Sequence, residues 1–72
     1  MNVKIKTDFI KLDQLLKYTG VAENGSNAKE MILDGLVKVN GEVCFLRGKK
    51  LYKGDRVSIF EEEFEIEWEH LK

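Results

Sequence analysis

The chain has 72 residues, 43% of them hydrophobic, one cysteine, no proline and a net charge of −1. A domain this small buries only roughly 60% of the surface its unfolded chain exposes, which leaves little room for an enclosed substrate cavity. Lone Cys44 excludes an internal disulfide staple, and no apolar run nears the ~20 residues that span a bilayer. The N-terminal stretch Met1 to Asp8 lacks the apolar core of a signal peptide. The expected compartment is therefore the cytoplasm, with no membrane partner, and the expected organisation is a single domain over residues 1–72.

Val3 and Ile5 alternate with Lys4 and Lys6, a weak signal for a short edge strand. Thr7 or Asp8 is expected to cap the helix that follows, because a side-chain oxygen there can satisfy an orphan first-turn amide. Leu12, Leu15 and Leu16 form its apolar stripe, with Phe9 one turn earlier, and Gly20 ends it. Residues 23–27 read as turn and then cap. Ser26 or Asn27 would cap the second helix, with Asn27 and Glu30 at capping-box spacing. Ala28, Met31 and Ile32 lie on one face of that helix, and Gly35 closes it. Each helix spans only about ten residues and must dock to be stable.

Val37 and Val39 alternate with Lys38 and meet Asn40-Gly41, a dipeptide suited to the positive φ angles of a tight hairpin. Lys53-Gly54-Asp55 reads as a turn, residues 56–60 as a strand, Glu61 to Glu63 as a charged turn and residues 64–68 as a last strand. The order β-α-α-β-β-β-β predicts an α+β domain, two short helices packed on a small, mostly antiparallel twisted sheet.

The net charge conceals a split. Residues 1–60 carry eleven Lys/Arg and seven Asp/Glu, whereas residues 61–72 carry six Glu and one Lys. Contact surfaces respond to nearby charges, because salt screens beyond about 8–10 Å. Arg47, Lys49, Lys50, Lys53 and Arg56 lie within ten residues with only Asp55 against them. Such a segment presents positive charge to a phosphate backbone. The Glu61–Glu69 series is expected to serve solubility and to protect an exposed sheet edge, or else to dock a basic partner. Tyr52 is expected to pack on the sheet, with base stacking as the alternative, and Trp68 to anchor the last strand. Cys44 and His70 are each the only residue of their kind, with no ligand cluster for a metal and no third group to support a nucleophilic pair. No catalysis, cofactor, metal or small-molecule substrate is expected.

Four segments in order resemble the S-four RNA-binding domain, the alpha-L motif of a small-subunit ribosomal protein. They are Lys11-Leu12-Asp13-Gln14-Leu15-Leu16, Ala28 to Ile32, Gly35-Leu36-Val37-Lys38-Val39-Asn40-Gly41 and Gly54-Asp55-Arg56-Val57. The match runs over residues 9–60, and the segment from Arg47 to Asp55 looks like the small stand-alone S-four proteins of the YaaA/YbcJ type. Two departures stand out. Lys11 replaces the family's frequent arginine, which loses a planar phosphate grip, and Gly25-Ser26-Asn27 lacks the usual arginine. Backbone amides at that helix start can still bind an anion.

The resemblance implies an RNA-binding protein whose partner is structured RNA, ribosomal RNA foremost and tRNA as an option; a monomer is expected, with ribosomal proteins as further partners. Lys11, Ser26, Asn27 and Lys29 would hold one stretch of backbone. Lys38, Asn40, Arg47, Lys49, Lys50 and Lys53 would hold another. The rival expectation is a protein-interaction module that works through the acidic C-terminal strand.

Overall fold

The computed structural model describes residues 1–69. Nine short elements follow one another: β1 (Asn2–Ile5), β2 (Ile10–Lys11), α1 (Leu12–Tyr18), α2 (Gly25–Leu33), β3 (Val37–Val39), β4 (Glu42–Val43), β5 (Lys50–Leu51), β6 (Arg56–Ile59) and β7 (Glu62–Trp68). Five strands form one sheet in the order β1-β7-β6-β3-β4, while β2 and β5 make a separate antiparallel pair. Only β1, lying parallel to β7, departs from antiparallel pairing in the large sheet. The two helices and mostly antiparallel sheet are the expected α+β architecture; β2 and β5 are additions to the expected order.

Strand alternation sets the core. Val3, Ile5, Val37, Val39, Val57, Ile59, Phe64 and Ile66 point inward, and they meet Leu12, Leu15 and Leu16 of α1 and Ala28 and Ile32 of α2 in one buried cluster. Met31 packs against this cluster but is only partly buried. Each fully buried Leu, Ile, Val or Phe contributes about 1.5–3 kcal/mol relative to exposure. Among the described residues no polar or charged side chain is buried, so apolar contact holds the layers together.

The turns largely follow their local chemistry. Asn40 and Gly41 take φ of 53° and 87°, the two positive values a type I′ hairpin needs. Gly35 sits at φ 76°, and the amides of Gly35 and Leu36 donate to the carbonyls of Ile32 and Met31, which satisfies the end of α2. The second hairpin is tighter than expected. Ile59 pairs with Glu62, so the turn is Phe60-Glu61, with Phe60 at φ 55°, and the strand begins at Glu62.

Both helix starts correct the sequence reading. Neither Thr7 nor Asp8 caps α1: the cap position is Lys11, without a side-chain cap bond, and Phe9 precedes the helix. Residues Ile10 and Lys11 are held extended by pairing with Leu51 and Lys50. The first-turn amides of Leu12 and Asp13 then donate to the carbonyls of Lys49 and Arg47, at 2.9 and 3.0 Å. For α2 the cap is Asn24, whose Oδ1 accepts from the amide of Asn27 at 2.8 Å. The Asn27 side chain reciprocates by accepting from the amide of Glu23 at 3.1 Å. This satisfies the helix start two or three residues earlier than expected and leaves Ser26 within the first turn.

A third correction concerns β7. It lies between β1 and β6, so its glutamates do not protect a sheet edge. Residues 70–72, and with them the expectation for His70, lie outside the described residues.

Candidate nucleic-acid interface

The loop between β4 and β5 is tied to the start of α1. Helix starts leave amides without intrahelical partners, and here the carbonyls of Arg47 and Lys49 answer two of them. With its carbonyls turned to the helix, this stretch leaves Arg47 and Lys49 exposed. Across from them stands the exposed stripe of α2, where Ser26, Lys29 and Leu33 follow helical spacing. Lys29, Leu33, Phe45, Leu46, Arg47 and Lys49 line a single concavity of about 450 Å³.

Beside the loop, Lys11 and Lys50 are direct cross-strand partners. Like charges placed opposite one another cost stability rather than add it. The Lys50 ammonium stands over the ring of Phe9, 4.8 Å from its centroid, and Phe9 lies 6.0 Å from Tyr52, ring centre to ring centre. Tyr52 is about half exposed and leans on Phe9 rather than packing down on the sheet as expected. Among the described residues the ion pairs are Lys6 with Glu69 and Arg56 with Glu65. Lys11, Lys29, Arg47, Lys49 and Lys50 take part in neither.

The other expected cations lie elsewhere. Lys38 sits between buried Val37 and Val39, so it points to the outer face of the sheet, away from the helices. There it joins a cross-strand row with Ser58 and Glu63. Lys53 is carried by the turn after β5 towards β7, with its ammonium 5.2 Å from the Trp68 ring centre. The Gly54 amide donates to the Ile66 carbonyl at 2.8 Å and fixes that turn. Asn40 has both ends of its amide engaged: Nδ2 donates to Asp55 and Oδ1 accepts from the amide of Arg56. Its position organises a turn.

The glutamates of β7 are partly answered within the fold. Glu65 meets Arg56 at 3.5 Å, and Lys4 stands beside Glu67 in the ladder. Sequence reasoning passed over Phe45 and Leu46, which are exposed in the same concavity. Their signal was the unalternating run Val43-Cys44-Phe45-Leu46, which no strand of period two accounts for.

The S4 domain model matches residues 3–67, from β1 through nearly all of β7. The chain belongs to the S4 domain family. This S4 domain is also similar to the probable ribosome maturation protein RlbA of Bacillus subtilis (strain 168), with 42% identity over 57 residues, covering 79% of this chain and 80% of the relative. Among the described residues, no helix of the S4 domain is long and apolar enough to cross a membrane.

Proposed function

We propose that this S4 domain binds structured RNA, with ribosomal RNA in an assembling ribosome as its target. The observation that carries the reading is the convergence of Lys29, Arg47 and Lys49 on one concavity, with Lys11 and Lys50 paired beside it. A like-charged cross-strand pair that costs folding stability is recovered when an anionic partner lies over it. The similarity to a probable ribosome maturation protein supports the choice of RNA.

The mechanism is electrostatic and shape-based. A-form helices hide their base edges in a deep groove, so double-stranded RNA is held mainly through phosphates and 2′-hydroxyls. Lys29 with Arg47 and Lys49 would hold one run of phosphates, and Lys11 with Lys50 the next. Ser26, one turn before Lys29 on α2, extends the first group. Asn27 acts through the helix cap and Asn40 through its turn. Lys38 and Lys53 lie apart from this surface and would contribute at its margins, through longer-range attraction.

The rival reading, in which the acidic strand is the working surface, is weakened because Arg56 already pairs with Glu65 and Lys6 with Glu69. The deciding experiment measures affinity for a ribosomal RNA fragment across a salt series, in the wild type and in Arg47→Glu/Lys49→Glu. Loss of affinity with a shallower salt dependence is expected. Unchanged affinity in the double variant would remove this concavity from the mechanism.

A further inference from the structure

Phosphate binding leaves the apolar half of the concavity without a purpose. Phe45 is 57% exposed, and Leu46 beside it 67%. Phe45 is nevertheless braced. The edge of its ring meets Gly35, with Cε1 3.4 Å and Cζ 3.7 Å from the point a first side-chain carbon on that glycine would occupy. The ring edge is thus held at the end of α2, where no side chain intervenes, and the residue is more than half open to solvent in the concavity that Lys29, Arg47 and Lys49 also line.

We propose that the RNA carries an unpaired nucleotide, whose base stacks on Phe45 while Lys29, Arg47 and Lys49 hold the phosphates on either side. This rests on the RNA reading above and specifies its target: a stem interrupted by a bulged or looped-out base, rather than a continuous duplex. The chemistry favours this occupant on two grounds. Every base offers a flat π-face to an aromatic ring, whatever its identity. Its flanking phosphates supply the negative charge that three cations around an apolar floor call for. A continuous duplex keeps its bases stacked inside and offers Phe45 nothing.

The test compares two hairpin RNAs that are identical except for one unpaired 2-aminopurine in the stem. The wild type is expected to prefer the bulged hairpin by roughly 5- to 150-fold, the range of one base–aromatic stack, and to change the probe's fluorescence on binding. Phe45→Leu should lose both the preference and the fluorescence change. Phe45→Trp should retain them. A wild type that binds both hairpins equally, or a Phe45→Leu protein that keeps the preference, overturns the proposal and leaves the RNA reading standing. Loss of an acidic protein partner in Phe45→Leu, with its preference for the bulged hairpin intact, likewise overturns it in favour of a protein-docking patch. Failure of the wild type to bind either hairpin counts against the RNA reading itself.

Discussion

Asn40 and Asp55, fifteen residues apart, are joined by a hydrogen bond of 3.1 Å from Nδ2 to Oδ1. Each carries a second bond to backbone: Asn40 Oδ1 accepts from the Arg56 amide at 2.9 Å, and Asp55 Oδ2 from the Tyr52 amide at 2.8 Å. Two turns are thereby clasped to each other. Asn40→Gly keeps the positive φ but removes the clasp, so it should cost about 1–2 kcal/mol at roughly 1 kcal/mol per bond. Chemical denaturation measures this. RNA affinity of the folded variant should stay within about twofold, since an organising residue changes how much protein is folded rather than how the folded form binds.

The cap of α2 gives a sharper test of local structure. Asn24→Ala removes the acceptor for the Asn27 amide and should cost about 1 kcal/mol. Ser26→Ala, at an exposed first-turn position, should change stability by less than about 0.5 kcal/mol. Equal losses in the two would mean that the helix start is shared between them.

In the core, Phe64 is 1% exposed and pairs across the sheet with Val57. Phe64→Ala should cost about 3–5 kcal/mol. A domain of 72 residues has a total stability of only about 4–11 kcal/mol, so much of the variant should be unfolded at 37 °C. Circular dichroism through a thermal melt would show a loss of cooperativity, and a melting midpoint near wild type would contradict the placement of Phe64.

The cations should fall into two classes. Arg47→Glu/Lys49→Glu is expected to weaken RNA binding and lower the log–log salt slope by about 2, one unit per lost phosphate contact. Lys53→Glu, beside Trp68, should alter affinity by no more than about twofold at physiological salt, where charges beyond the site are screened. Comparable losses in the two would dissolve the distinction between concavity and margin.

The parts that were legible in the sequence are those decided by neighbours in the chain. Asn40-Gly41 adopts its turn because those two residues tolerate positive φ, and Leu12, Leu15 and Leu16 are buried because their spacing places them on one side of a helix. Ile10–Lys11 and Lys50–Leu51 were not legible: two residues have no periodicity, and each becomes a strand only by meeting the other. The same long-range meeting displaced the cap from Thr7 and Asp8. Asn24, Ser26 and Asn27 are all capable caps, so their order could not be settled by type alone. At the site, proximity in sequence grouped Lys53 with Lys49, but the turn at Gly54 separates them. Phe45 escaped notice because an aromatic in an apolar run reads as core until its exposure is known.

The bonds from Leu12 and Asp13 to the Lys49 and Arg47 carbonyls link the display of charge to completion of the fold. An isolated peptide of residues 35–55 would carry the charges without the helix that aims them. Binding and folding are then two sides of one equilibrium: RNA that recognises only the assembled form would stabilise it by about 2.7 kcal/mol at a concentration one hundred times its Kd. In a domain of such narrow stability, the ligand would act as a brace, and the protein would be most resistant to unfolding while seated on its target.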